Sequence, residues 1–376
     1  MRFVIKKWAD VLRITSGKTQ KGVLDPNGAY PIYGSGGIMG YANQYLCEAG
    51  TTIVGRKGTI DNPIFVNERF WNVDTAFGIS PGEQLNSRYL YFFCRHFNFR
   101  QLDKSTTIPS LAKTDLLSIE MPVPPLSEQK RIVARIEELF SELDNGVETL
   151  EKTKQQLAVY RQSVLKAAFA VTDAPFRRLE ELCFFITKGT TPKKAAMSSG
   201  AGEIPFIKVY NLTSDNSLDF SINPTFVNEE THKEYLGRSI VYPGDVLMNI
   251  VGPPMGKVSI VPDTYPEWNI NQAIARFRCL HELYNKYLAY FLGYSDTIRK
   301  MTLKAKATAG QFNLTLEICR DIQIPVPPIE KQRQIVAEIG SRLSVCDSIE
   351  KAVNAGLQQS ESMRQSILKK AFEGGL

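Results

Sequence analysis

A segment of about fifty residues occurs twice in this chain, and that repeat limits the architecture more than any other feature. Met121-Pro122-Val123-Pro124-Pro125-Leu126 returns 203 positions later as Ile324-Pro325-Val326-Pro327-Pro328-Ile329. The match continues without a gap. Gln129, Ile132, Val133, Ala134, Ile136, Ser141 and Asp144 meet Gln332, Ile335, Val336, Ala337, Ile339, Ser344 and Asp347. Arg161-Gln162-Ser163 meets Arg364-Gln365-Ser366, and Ala168-Phe169 meets Ala371-Phe372.

Each copy reads as a stiff hinge followed by one long helix. Pro-Val-Pro-Pro favours extended backbone, and Ser127-Glu128 offers a polar, acidic start suited to the positive end of a helix dipole. Ile132, Ile136, Leu139, Leu143, Val147, Leu150, Leu157 and Val164 recur mostly three or four apart, which is a coiled-coil seam. The second copy keeps Ile335, Ile339, Ile349, Val353, Met363 and Ile367 but sets Arg342, Cys346 and Ser360 on the same stripe, so its seam is weaker. The remaining segments are rich in aromatic and β-branched residues broken by Gly, Pro and Asn, and read as strand-dominated mixed domains. Ile14-Thr15-Ser16-Gly17 echoes Ile186-Thr187-Lys188-Gly189, and Trp71-Asn72-Val73 echoes Trp268-Asn269-Ile270. The expected division is a first domain over 1–120, hinge and helix over 121–171, a second domain over 172–323, and hinge and helix over 324–376. The fold class is α+β, with two strand-rich domains each followed by a long helix. The helices pair as an antiparallel coiled coil with pseudo-two-fold symmetry. Near-identical helices imply one shared structural partner, and divergent domains on them imply two different ligands of one class.

Composition is that of a folded globular protein, with 43% hydrophobic and 22% charged residues, which argues against disorder and against a membrane protein. The N-terminus lacks the apolar core of a secretion signal, so the expected compartment is the cytoplasm. Six cysteines are scattered singly without zinc-ligand spacing, and there are only three histidines, so neither a metal site nor histidine-based catalysis is expected. A formal charge of +6 permits a polyanionic partner without requiring one.

Most candidate chemistry fails on spacing. Gly252-Pro253-Pro254-Met255-Gly256-Lys257-Val258 has three residues between its glycines where a phosphate-binding Walker loop has four, and Val258 stands where Ser or Thr would hold magnesium. It corresponds roughly to Val54-Gly55-Arg56-Lys57-Gly58, so each domain sets a glycine-flanked basic loop between two expected strands. Asn62-Pro63-Ile64-Phe65 and Asn223-Pro224-Thr225-Phe226 lack the second proline of the Asn-Pro-Pro-Tyr motif by which amino-methyltransferases hold a flipped base. The glycine cluster at Gly34–Gly40 lies in turn-like surroundings rather than after a strand. No covalent chemistry is expected.

Binding chemistry remains. Ser35, Asn43, Arg56, Lys57, Arg69, Lys104, Ser105, Thr106 and Thr107 in the first domain suit phosphates and base edges. In the second, so do Lys188, Thr190, Thr191, Lys193, Lys194, Lys208, Asn211, Lys304, Lys306, Gln311 and Asn313. The run Lys304–Gln311 is the strongest, because its small residues would let the backbone approach a phosphate.

Two variable domains, each followed by Pro-x-Pro-Pro and a Gln-(Lys/Arg)-x-Ile-Val-Ala helix, resemble the specificity subunits of type I restriction-modification systems. Gln129-Lys130-Arg131-Ile132-Val133-Ala134 and Gln332-Arg333-Gln334-Ile335-Val336-Ala337 carry the likeness, with Gly50–Gly58 and Trp71–Thr75 in the first domain. The resemblance implies that each domain reads one half of a bipartite site in double-stranded DNA. The helices would separate the halves and dock two modification subunits that bring S-adenosylmethionine and methylate adenine. Two motor-nuclease subunits can add restriction. Partner contacts are then expected at Gln129, Ile132, Ile136, Leu139, Gln332, Ile335 and Ile339, with no cofactor in this chain. Two other readings compete: a helical scaffold without DNA affinity, and a fragment of a fused methyltransferase.

Overall fold

The computed structural model describes residues 3–170, 173–213, 215–252, 255–308 and 311–376, with backbone alone for 306–308 and 311–312. The chain forms two units, residues 1–152 with 353–376 and residues 153–352. The Pro-rich hinges run directly into the long helices. The first helix spans Leu126–Ala170 and the second Ile329–Phe372. Pro125 O accepts from both Glu128 N and Gln129 N, and Pro328 O from Lys331 N and Gln332 N, so the last proline of each hinge supplies the first turn's acceptor.

Each unit contains part of both helices, and they run antiparallel in each. In the first unit Arg131 donates to Leu376 O at 2.7 Å, Asp144 pairs with Arg364, and Leu150 lies against Gly356. In the second, Arg161 bridges Asp347 at 2.6 Å and Glu350 at 2.8 Å. The Asp144–Arg364 and Arg161–Asp347 pairs are repeat equivalents. Residue i of one copy meets residue j of the other and j meets i, the reciprocity of like elements paired about a two-fold axis. Ile132, Ile136, Leu157 and Val164 are buried as the seam predicts, while Leu139, Leu143, Val147 and Leu150 are half-buried. The second seam departs from expectation. Ile349 and Met363 are exposed at 40% and 45%, whereas Cys346 is 1% exposed. A thiol fits the narrow gap between helices as a small hydrophobe.

The globular part of the first unit has a four-stranded antiparallel sheet ordered Leu12–Ser16, Ala76–Pro81, Thr51–Gly55, Ile64–Val66. A second sheet orders Gly37–Ala42, Tyr30–Gly34 and Trp71–Asn72, the last two parallel. In the second unit the four-stranded sheet has the same order: Cys183–Lys188, Ile274–Cys279, Val246–Asn249, Val258–Ile260. Its partner sheet has grown to five strands but keeps the parallel pair, Ile204–Ile207 with Trp268–Ile270. The faint sequence echoes fall on this shared frame. A β-carbon on Gly17 would lie 1.8 Å from Val73 O, and one on Gly189 would lie 2.0 Å from Ile270 O, so both turns pass too close to the neighbouring backbone for any other residue.

Each four-stranded sheet packs on a helix, Ser87–His96 or Asn285–Leu292, and through it on the long helices. Tyr89 and Tyr287 are fully buried, donate to Pro122 O and Pro325 O at 3.0 Å, and meet Phe372 and Phe169 edge-on. The first core thus joins Trp8, Tyr89 and Phe99 to Ile132, Ile136, Phe140, Leu368 and Phe372. The second joins Phe277, Tyr287 and Leu288 to Leu165, Phe169, Val336 and Ile339. The long helices are therefore part of both cores.

Candidate nucleic-acid interface

In the first unit the Thr51–Gly55 strand runs into the basic loop Arg56-Lys57-Gly58, where Gly58 takes a φ of +84° that L side chains rarely adopt. The loop is zipped to a second segment. Leu111 N donates to Arg56 O and Gly58 N to Pro109 O, both at 2.9 Å, so Lys57 and Ser110 stand opposite each other. Ser35 contributes from the hairpin turn, its Oγ lying 3.7 Å from where a Gly58 β-carbon would stand. Between Asp103 and Ser110 the chain bulges into solvent with Lys104, Ser105, Thr106, Thr107 and Ile108 all exposed. The Asp103 carboxylate closes this bulge, accepting from Ser105 N at 3.0 Å, Ser105 Oγ at 2.6 Å and Ser110 N at 3.0 Å. Those bonds, the Ser105 hydroxyl first, hold its carboxyl below the usual range.

The structure thus gathers Ser35, Arg56, Lys57 and the Lys104–Ile108 bulge into one exposed head. Lys57 is exposed, while Arg56 is half-buried, with Nη1 3.3 Å from Asp74 O and its guanidinium over the Phe77 ring. Lys104 pairs with Asp115 at 2.9 Å and is 80% exposed, a pair weak enough for a phosphate to displace. Arg69 pairs with Glu48 at 2.9 Å and lies over Tyr45, beside the strand end that leads to exposed Asn43. Thr106 is fully displayed on the bulge. Sequence reasoning passed over Asp103 and Ile108, although Asp-x-Ser is a recognisable side-chain turn.

The equivalent head of the second unit is built on apolar residues. Leu314 N donates to Ile250 O at 2.9 Å and Val251 stands opposite Asn313, so Ile250, Val251 and Gly252 take the places of Arg56, Lys57 and Gly58. Gly252 has φ +82°. This corrects the sequence alignment, which set Gly252–Gly256 as a whole against the basic loop. Lys257 immediately precedes the returning strand Val258–Ile260, and its N–H donates to Asn249 Oδ1 at 2.7 Å. Asn313 Oδ1 is buried and meets no donor among the described residues. The Lys306–Thr308 and Gln311–Asn313 strands pair antiparallel, Lys306 opposite Asn313 and Thr308 opposite Gln311, but the side chains of Lys306 and Gln311, with Ala309 and Gly310, lie outside the described residues. Lys304 is exposed at the end of the Ser295–Lys304 helix, and Lys188, Lys193 and Lys194 are exposed around half-buried Thr190. Thr191 bonds to Gln272. Lys208 lies beside the Tyr210 ring.

Asn211 lies inside the fold. It is 1% exposed, donates to Asp219 O at 3.0 Å and Ile222 O at 2.8 Å, and accepts from Lys208 N at 2.9 Å. Its carboxamide holds a turn. Several helix positions expected to meet a partner are likewise enclosed. Gln129 and Gln332 are fully buried. Gln129 donates to Gln84 O and Pro124 O at 2.8 Å and accepts from Asn86 N at 2.7 Å. Gln332 donates to Glu282 O and Pro327 O and accepts from Tyr284 N. Both amides are consumed in locking hinge to domain. Ile132, Ile136 and Ile339 belong to the cores, and only Leu139 and Ile335 of that set retain partial exposure.

Among the described residues no three His, Cys, Asp or Glu side chains are placed to hold a metal, and no helix is long and apolar enough to cross a membrane.

Residues 2–157 and 173–359 match the family described as Type I restriction modification DNA specificity domain. The type I restriction enzyme EcoBI specificity subunit of Escherichia coli is 26% identical over 364 residues, covering 86% of this chain and 73% of that protein. The EcoDI specificity subunit of the same species is 22% identical, covering 98% and 87%. Among solved structures, a chain from work on assembly and conformational transition of the type I R-M system gives a TM-score of 0.77 at 19% identity, covering 100% of this chain and 98% of that one. The HsdS subunit from Thermoanaerobacter tengcongensis gives 0.54 at 19% identity over 100% and 97%. The match spans most of the chain and takes in both domains and most of both long helices, so the protein belongs to the type I restriction-modification DNA specificity family.

Proposed function

We propose that this chain is the non-catalytic subunit that chooses the DNA sequence for a type I restriction-modification complex. Residues 1–120 and 172–323 each read one half of a bipartite site, and the hinge-and-helix segments 121–171 and 324–376 set the gap between the halves. The observation that carries this reading is the pairing of a common frame with different heads. The same four-stranded order and loop ladder present Arg56-Lys57 against Ser110 in one unit and Ile250-Val251 against Asn313 in the other. A duplicated enzyme would keep its reacting groups in both copies, whereas a reader of an asymmetric site needs a shared scaffold and unlike contacts. Two modification subunits, carrying S-adenosylmethionine, dock on exposed helix positions rather than on Gln129 or Gln332. Two motor-nuclease subunits add restriction in the complete assembly.

The test is the ruler. A helix of 45 residues rises about 67 Å at ~1.5 Å per residue. Because Leu150 lies against Gly356, lengthening the pair requires matched insertions, four residues after Lys152 and four after Ala352. Each adds roughly one turn and ~6 Å, which keeps the seam in register. The methylated site should then gain one or two base pairs in its gap with both half-sites unchanged, at ~3.4 Å per base pair. An unaltered gap in a methylation assay with the modification subunit present would remove the helices from the role of spacer.

A further inference from the structure

Two thiols in the second unit face each other across neighbouring strands. Cys183 opens the Cys183–Lys188 strand, Cys279 ends Ile274–Cys279, and the antiparallel register pairs them directly. Leu280 N donates to Leu182 O at 2.8 Å, so the backbone bond lies one step outside the pair, and the cysteines occupy a non-hydrogen-bonded position. Residues so placed have α-carbons about 4.5 Å apart, within the roughly 4.4–6.8 Å that a disulfide spans. The Cys279 thiol is pushed well above its ordinary range, first by the Cys183 sulfur and then by burial. Cys183 is 6% exposed. Cys279, however, is half-buried and lines an open pocket of about 470 Å³ with Tyr242, Arg278 and His281. Both cysteines are free, and no other strand register among the described residues sets two cysteines opposite each other.

We propose that Cys183 and Cys279 form an oxidation-sensitive dithiol that closes to a disulfide within the folded protein when it meets a peroxide. One sulfur attacks the peroxide, so that an S–O bond forms as the O–O bond breaks and the thiol proton leaves with the departing oxygen as water. The second sulfur then attacks the sulfenic sulfur. The S–S bond forms, the S–O bond breaks, and a second water leaves with the remaining thiol proton. The peroxide is reduced by two electrons and the two thiols are oxidised. The thiolate is the reactive form, and Cys279 favours retaining its proton, so its attack is slow near neutrality and quickens as pH rises.

The full-length protein, treated with hydrogen peroxide at graded pH without denaturant, provides the test. Intact mass should fall by about two units, and a non-reducing peptide map should join Cys183 to Cys279. The rate should climb by up to roughly tenfold per pH unit, and dithiothreitol should reverse the change. C279S should abolish the mass loss, while C319S, in the same unit, should leave it intact. Cross-links to another cysteine, gain of oxygen mass without the joined peptide, or closure only in urea would each overturn the proposal.

Discussion

Replacing Gln129 with alanine distinguishes two roles for the most conspicuous residue of the repeat. The side chain is fully buried and makes three hydrogen bonds of 2.7–2.8 Å to the backbone of residues 84, 86 and 124. Truncation leaves an amide N–H and two carbonyls without that partner, and each buried unsatisfied group costs about 1–3 kcal/mol. Water entering the vacated space recovers part of this, so a net loss of about 3–5 kcal/mol is expected, a large share of a typical domain's 5–15 kcal/mol. Q129M, which restores volume but not the bonds, should recover less than half. The assay is hydrogen exchange with mass spectrometry on the purified chain, because peptides report each unit separately where a single melting curve would not. Q129A should accelerate exchange across residues 84–90 and 122–133 while sparing the second unit, and Q332A should do the reverse across 282–288 and 325–336. If Q129A left exchange in the purified chain unchanged and only weakened binding of the modification subunit, Gln129 would be a partner contact and the lock would be refuted.

Two further outcomes follow from the first unit. K57A should weaken binding to every DNA sequence alike and lower the slope of log affinity against log salt by about one; an altered sequence preference with the slope unchanged would place Lys57 on a base instead. His96 is held below its ordinary range chiefly by burial, stacked on Phe372. A depressed folded-state value means its contribution is intact above the unfolded value of about 6.5 and is lost as pH falls through the folded one. The first unit should therefore lose stability from pH 7 to 5 more steeply in the wild type than in H96Q, as read by hydrogen exchange, and parallel profiles would exclude the imidazole as the cause.

Local pattern was enough to reveal what the two copies share. The Pro-Val-Pro-Pro hinges and the long helices follow from an ungapped repeat with three- and four-residue apolar spacing, because helix periodicity and proline's backbone limits act within a few residues. The echoes at Gly17 and Gly189 were visible too, though the close approach of Val73 O and Ile270 O that requires glycine was not.

What each side chain does was decided by tertiary structure. Gln129 and Gln332 stand in the helix signature where the resemblance implies partner contacts, yet the hinge carbonyls and a neighbouring loop amide enclose them. Asn211 went the same way. Cys346 displaced Ile349 from the second seam because burial on a paired helix depends on the facing residue as well as on periodicity. The two reading heads became comparable only through the ladders joining Lys57 to Ser110 and Val251 to Asn313. Those bonds link segments more than fifty residues apart, and no local propensity specifies which distant backbone a loop will meet.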